Sequence, residues 1–213
     1  MIIALSGGIG GAKLALGLSR VLSPEELLII ANTGDDFEHY GLTICPDTDT
    51  LLYTLAGLDN PQLGWGRADE SWAFMQTLAG LGGADWFRLG DRDLALHVLR
   101  SHRLRAGEAL SAITDDLRQR FGIGPRILPM SDDPVRTRIG TDQGWLDFQD
   151  WFVRLRAEPL ARAVQFAGVE KARAQPALLD ALQAKPRGIV LCPSNPFISI
   201  EPILALPGLR DAI

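Results

Sequence analysis

Met1-Ile2-Ile3-Ala4-Leu5-Ser6-Gly7-Gly8-Ile9-Gly10-Gly11-Ala12-Lys13 opens the chain, and its reading decides the fold. The apolar run through Leu5 is a strand, the glycines are a turn, and Leu14, Leu18, Val21 and Leu22 recur behind them at helical spacing. After a turn at Ser23-Pro24-Glu25-Glu26 comes a second apolar run, Leu27-Leu28-Ile29-Ile30-Ala31, and much later a third, Gly188-Ile189-Val190-Leu191-Cys192. Runs without polar alternation suit parallel strands covered on both faces. A strand, helix and strand within about 30 residues is the usual size of a right-handed crossover. The expectation is an α/β fold on a mostly parallel sheet.

The glycines Gly7, Gly8, Gly10 and Gly11 let the backbone turn sharply and aim several N–H groups at one point, at the positive end of the following helix. A phosphate is the natural guest there, and Lys13 favours an anion. The competing reading is that the glycines only let helix and strand pack closely. Two familiar phosphate motifs fail letter by letter. Lys13 follows Ala12 and precedes Leu14, which is not a P-loop, and G-x-G-x-x-G begun at Gly8 and Gly10 meets Lys13 in place of the third glycine. A nucleotide site is expected, with its class open.

The second run empties into Asn32-Thr33-Gly34-Asp35-Asp36, and Cys45-Pro46-Asp47-Thr48-Asp49-Thr50 follows. Ligands of open parallel sheets gather at the carboxyl ends of the strands, where the glycine turn also lies. Asp35, Asp36, Asp47 and Asp49 then face one phosphate site. Carboxylates repel phosphate unless a cation stands between them, and an all-oxygen ligand set suits Mg²⁺. Taken singly, Asp35 and Asp49 could equally cap turns and helices. Thr50 to Leu58 is expected as a helix capped by Thr48 or Asp49.

Further along, Gly64-Trp65-Gly66 is a loop whose tryptophan either stacks on a planar ligand or plugs the core. Glu70 to Leu81 reads as a helix. Trp86 to Asp93 breaks the pattern, with Asp91 placed as an N-cap for a helix resuming at Leu94 and Arg92 a candidate for an anionic or carbonyl ligand, because Gly90 brings the backbone close. Gly107 to Phe121 is amphipathic. Val135 to Ile139 and Trp145 to Phe148 alternate as a hairpin around Thr141-Asp142-Gln143-Gly144. Residues 125–165 are therefore expected as a lid-like insertion within a single domain, 1–213. In Pro193-Ser194-Asn195-Pro196 the second proline keeps the loop extended, so Ser194 and Asn195 reach the same sheet edge as the glycine turn and suit a ribose, a phosphate oxygen or a base edge.

A chain of 213 residues with 46% hydrophobic content can bury one sizeable core. A net charge of -5 without a long basic run argues against nucleic acid as a partner. Cys45 and Cys192 are the only cysteines, which suits a reducing cytoplasm. The chain starts directly with a strand and no apolar stretch approaches the roughly 20 residues of a membrane span, so a cytoplasmic protein without signal peptide or membrane partner is expected.

The blocks Ser6 to Lys13, Asn32 to Asp36, Cys45 to Thr50, Gly64 to Gly66, Trp86 to Asp93, Pro129 to Thr137, Phe148 to Arg154 and Pro193 to Pro196 follow one another as in the CofD/FbiA family, which this sequence resembles. These are the 2-phospho-lactate transferases of coenzyme F420 biosynthesis. The resemblance implies a Rossmann-like three-layer fold and a metal-dependent transfer. A guanylated donor, lactyl-diphospho-guanosine or its phosphoenolpyruvyl or phosphoglyceryl relative, would be attacked by the terminal ribityl hydroxyl of the deazaflavin Fo, releasing GMP. By position, Asp49 and Asp47 would be catalytic; Asp49, Arg92, Asp91, Trp65 and Trp86 would hold Fo; Gly7, Gly8, Gly10, Gly11, Lys13, Ser194 and Asn195 would hold the guanosine diphosphate; and Asp35, Asp36 and Asp47 would hold Mg²⁺. The family also implies a homodimer and a longer chain, about a third of whose length would lie beyond Ile213. Two other readings compete: a related regulator that binds a nucleotide sugar without transferring anything, and an NAD-type oxidoreductase, against which the failed fingerprint counts.

Overall fold

The computed structural model describes residues 1–213. Strand β1 (Ile2–Ser6) leads through α1 (Gly8–Ser19) to β2 (Leu27–Ala31), the crossover expected from the opening residues. A short antiparallel hairpin follows, β3 (Phe37–His39) and β4 (Leu42–Ile44), and then α2 (Pro46–Ala56), α3 (Ala73–Gly80), α4 (Asp91–Arg105) and α5 (Leu110–Arg120). After β5 (Arg126–Pro129) come β6 (Arg136–Thr141), β7 (Gly144–Asp147) and β8 (Ala161–Ala167), and the chain ends with α6 (Pro176–Gln183), β9 (Gly188–Leu191), α7 (Glu201–Leu204) and α8 (Leu209–Ala212).

The central sheet runs β5-β2-β1-β9 and is parallel throughout, with Ile2 opposite both Leu27 and Gly188. The chain builds outward from β1 to β2 and β5 on one side, then returns to place β9 on the other. The reversal lies between β1 and β9, and in such sheets the crevice at that point is where ligands sit. Alternation along the strands splits the core into two. Ile3, Leu5, Leu28 and Ile30 pack with Leu178 of α6 and Ile203 of α7, while Ala4, Leu27 and Ile29 pack with Leu51 and Leu52 of α2 and Ile113 and Leu117 of α5. Each fully buried Leu or Ile contributes about 1.5–3 kcal/mol. The result is the expected three-layer α/β/α arrangement.

Several expected boundaries move. β5, inside the stretch expected as an insertion, pairs with β2 in the central sheet, and β8 joins β6, so the antiparallel addition is three-stranded and covers 136–167. α2 starts at Pro46 rather than Thr50, because a proline at the first helical position needs no N–H partner and has its φ already set. α4 starts at Asp91 and α3 only at Ala73. The carboxylate of Asp91 caps α3, accepting from Ala73 N and Phe74 N at 3.0 Å each, and Glu70 in return accepts from Arg92 N at 2.7 Å and Asp93 N at 2.9 Å at the start of α4. No helix is long and apolar enough to cross a membrane.

Candidate functional site

Because α2 begins at Pro46, Asp47, Thr48 and Asp49 occupy its first turn, and all three are buried. Asp47 is a junction. Its Oδ1 accepts from Gly8 N at 2.7 Å and its Oδ2 from Asn32 Nδ2 at 2.9 Å. Asn32 also donates to Ile198 O at 3.1 Å and accepts from Gly34 N at 2.9 Å. One asparagine and one aspartate thus tie together the glycine turn, the loop after β2 and the turn after β9. Gly8 has φ +63, in the region that favours glycine, which is what turns its N–H towards Asp47. A Cβ on Gly10 would collide with Pro193 O, and one on Gly11 would stand 2.5 Å from Ser6 Oγ. These two glycines seat α1 against β1 and the loop after β9.

Asp49 faces α4. Arg100, 1% exposed, grips it at two points: Nη1 donates to Oδ2 at 3.0 Å and Nη2 donates to Oδ1. Burial opposes the guanidinium charge most strongly, but the charge and hydrogen bond of the facing Asp49, together with Cys45 and Asp36, hold Arg100 above its ordinary value. One turn earlier, His97 Nδ1 lies 3.6 Å from Asp49 and Nε2 lies 3.1 Å from Asp93 Oδ2. Tyr53 donates to Asp93 at 2.5 Å. Burial pushes the Asp93 carboxyl up, yet His97 and Tyr53 together bring it below the usual carboxylate value. Burial, then the charges of Asp49 and Asp93, push the Tyr53 phenol up. Ligand-type atoms of Asp49, Asp93 and His97 lie within 4.8 Å of one another, but Arg100 and Tyr53 already partner the two acids, so the group is a hydrogen-bonded brace within the cleft wall.

The cleft itself has a volume of about 380 Å³ and opens at the carboxyl ends of β1 and β2. Asp35, Asp47 and Asp49 line it, and so do Trp65, Phe87, Phe148 and Phe152, which supply apolar surface. Phe148 and Phe152 stack with centroids 5.3 Å apart and planes at 10°. Two single π-helical turns, Asp150–Arg154 and Pro196–Ile200, bring Phe152 and Ser199 to the rim; such turns recur at ligand sites because the widened coil re-aims its side chains. Arg88 also lines the cleft, its Cζ 4.1 Å from the Trp72 ring centroid.

A second recess of about 280 Å³ adjoins the first through Asp35, Phe148 and Gln149 and contains Asp36, Trp86 and Arg136. Asp35 Oδ1 and Asp36 Oδ1 are buried there without a hydrogen-bond partner. Burial, with Asp47 and Asp36 adding to it, pushes Asp35 well above the usual carboxylate value; burial also raises Asp36 to about 7 and Asp47 to about 6. Orphaned, buried carboxylate oxygens are what a hard divalent cation satisfies, although Asp35, Asp36 and Asp47 do not bring three ligand atoms within 4.8 Å of one another as Asp49, Asp93 and His97 do.

The other expected residues scatter. Arg92 is exposed and Asp91 is spent on the α3 cap, so neither lines the cleft; Arg88 stands in it instead. Trp65 is a cleft residue, whereas Trp86 packs edge-on to His39 at 5.2 Å in the second recess. Lys13 lines a third recess of about 150 Å³ beside Trp65 and Asn60. Ser194 Oγ lies 3.0 Å from the point a Gly8 Cβ would occupy, next to the glycine turn, while Asn195 Oδ1 accepts from Phe197 N at 2.9 Å and caps the turn that follows. Tyr53, Arg88, Asp93, His97, Arg100 and Phe152 were not singled out from the sequence. Only Asp93 and His97, four apart on one helix, leave a local signal there.

Comparison with known proteins identifies the family and the fold. The family model described as 2-phospho-L-lactate transferase CofD matches residues 2–213. A phosphoenolpyruvate transferase of Kitasatospora aureofaciens is 47% identical over 218 residues, taking in 100% of this chain and 68% of its own length. One from Thermobifida fusca is 43% identical over 225 residues, 100% of this chain and 70% of that protein. A solved structure of a UPF0052-family protein from Bacillus halodurans superposes with a TM-score of 0.67 at 19% identity, covering 100% of this chain and 64% of that one, a likeness of fold. The chain spans about two thirds of the length of these relatives. With the match running from residue 2 to residue 213, the chain belongs to the CofD family of 2-phospho-L-lactate transferases.

Proposed function

We propose that the chain carries the transfer site of a cytoplasmic enzyme of coenzyme F420 biosynthesis, which moves a phosphate bearing a three-carbon acid from a guanosine diphospho-linked donor to the deazaflavin Fo. The observation that carries this reading is the cleft's composition. Aromatic side chains suited to stacking on a flat ring, Trp65 and the stacked Phe148 and Phe152, line the same cleft as the buried carboxylates and Gly8 of the glycine turn.

In the reaction the terminal hydroxyl oxygen of Fo forms a bond to the phosphorus carrying the three-carbon acid. The bond from that phosphorus to the bridging oxygen breaks, and GMP leaves. Asp49, fixed by Arg100, orients the hydroxyl, and Asp47 receives its proton; at about 6, its value suits a group that must accept a proton near neutrality. Arg88 reaches the same cleft and pairs with a carbonyl or anionic oxygen of the ring or the donor. Gly7, Gly8 and Ser194 border the donor's diphosphate, with Lys13 and Asn195 at its flanks. Asp35 and Asp36, whose Oδ1 atoms are buried without a partner, would hold Mg²⁺, which would supply charge neutralisation between donor phosphates and carboxylates. Placement and electrostatics suffice for such chemistry, because phosphoryl transfer asks for little covalent help from protein.

Incubation with Fo, a guanylated three-carbon donor and Mg²⁺, followed by mass spectrometry, tests this. The expected result is GMP with a new phosphodiester on Fo, abolished in Asp49→Asn. Binding of GDP or a nucleotide sugar with no binding of Fo would instead favour a non-transferring regulator of the same family.

A further inference from the structure

Helices α2 and α4 meet along two matching rows of polar side chains. Asp49 and Tyr53 are four apart on α2, and on α4 Asp93, His97 and Arg100 follow at steps of four and three, so each set shares one helix face. Cross-links join the two ends of the rows: Tyr53 donates to Asp93 Oδ1 at 2.5 Å, and Arg100 grips Asp49. His97, only 1% exposed, stands between them. Its Nε2 lies 3.1 Å from Asp93 Oδ2, while its Nδ1 lies 3.5 Å from Arg100 Nη1 and 3.6 Å from Asp49 Oδ2. Asp49, Tyr53, Asp93 and His97 all line the cleft.

A buried imidazole has two nitrogens to satisfy, and their neighbours here differ in kind. A carboxylate only accepts, so a proton on Nε2 suits the side facing Asp93. A guanidinium only donates, so Nδ1 suits Arg100 when it carries no proton. With the tautomer reversed, two N–H groups would meet at Arg100 Nη1 and the Nε2 lone pair would face a carboxylate oxygen. Nε2 is buried without an aligned partner, and hydrogen bonds of a reacting site are often long until substrate is seated and tighten then. We propose that His97 is a positioning residue for the transfer: held by Asp93 with its proton on Nε2, it presents Nδ1 to Arg100 and keeps the guanidinium in the plane that orients Asp49. This role rests on the reading of Asp49 as the group that orients the attacking hydroxyl. Tyr53 serves the same end from the far side, since it occupies the other oxygen of Asp93 and fixes that carboxylate towards His97.

Steady-state kinetics of transfer from a guanylated three-carbon donor to Fo separate this role from mere packing. His97→Leu, which fills similar space with neither nitrogen, should lower kcat about a hundredfold, the scale of a small misplacement of an acting group, with KM for both substrates little changed. His97→Asn, whose amide oxygen can stand where Nδ1 does and accept from Arg100, should recover most of that loss. Nitrogen-15 NMR of the wild type at about pH 8, above the ordinary imidazole value of about 6.5, reads the tautomer without any variant. Of the three histidines, the signal absent from His97→Asn is that of His97, and its proton is expected on Nε2. A proton on Nδ1, an undiminished kcat in His97→Leu, a loss carried by KM alone, or no recovery in a folded His97→Asn overturns the inference and leaves the transfer reading standing. A wild type that binds both substrates and transfers nothing overturns the reading of Asp49 and this inference with it.

Discussion

Asp49, in the first turn of α2, and Arg100, three turns into α4, form a two-point ion pair with neither side chain more than 7% exposed. It couples the helix that carries Asp47 and Asp49 to the helix that lines the back of the cleft. Removing one member of a buried pair strands the other charge and costs about 3–5 kcal/mol. Arg100→Gln should therefore lower unfolding stability by that order in urea titration. Asp49→Asn/Arg100→Gln should be less damaged than the sum of the two single changes, by about 1–3 kcal/mol. Strict additivity would mean that the pair is not coupled. Any loss of activity in Asp49→Asn has to be read beside its melting temperature for the same reason.

The buried acids set a pH dependence. Asp36 at about 7, Asp47 at about 6 and Asp35 well above 3.8 hold protons more tightly folded than unfolded. Their contribution favours the folded state most at low pH and is lost as pH rises from about 4 through about 7, the direction linkage gives when the native state binds more protons. Without divalent cations, urea titration should show lower stability at about pH 7.5 than at about pH 5, and Mg²⁺ should restore stability at the higher pH only, since it competes with protons for the same oxygens. An equal Mg²⁺ effect at both values would remove these carboxylates as its site.

Arg88 and Arg92 separate on the two sides of the α4 start. Arg88→Ala should weaken Fo binding about tenfold or more, the scale of one charge-assisted hydrogen bond, while Arg92→Ala, an exposed residue outside the cleft, should leave it within about twofold at the same scale. Fluorescence titration of the two variants decides between them, and equal losses would contradict the placement.

Gly10→Ala probes packing rather than ligand contact. Its Cβ would strike Pro193 O, a backbone atom that cannot swing away, so stability should fall by about 1–3 kcal/mol. A variant as stable as the wild type would show that α1 is not wedged against the loop after β9.

What was legible in the sequence was whatever a local pattern encodes. The unbroken apolar runs gave β1, β2 and β9, and the glycines gave the turn into α1. Asp35, Asp47 and Asp49 were placed together because strand ends converge in a parallel sheet. The start of α2 lies earlier than a cap at Thr48 or Asp49 implies, because the proline at Pro46 opens the helix itself. The β3–β4 hairpin escaped because three-residue strands carry almost no periodicity. Arg100 gives no signal of its own, since its partner lies 51 residues away, and Arg88 and Arg92 are indistinguishable until the mutual caps of Glu70 and Asp91 fix where α4 begins.

The most direct test of the central claim is a fluorescence titration of the chain with Fo in the presence of Mg²⁺, run beside Trp65→Ala and Phe152→Ala. Saturable binding to the wild type, weakened by about 1–3 kcal/mol in each variant as expected for loss of a stacking face, is what the cleft predicts. Absence of binding, or binding indifferent to both substitutions, would contradict it.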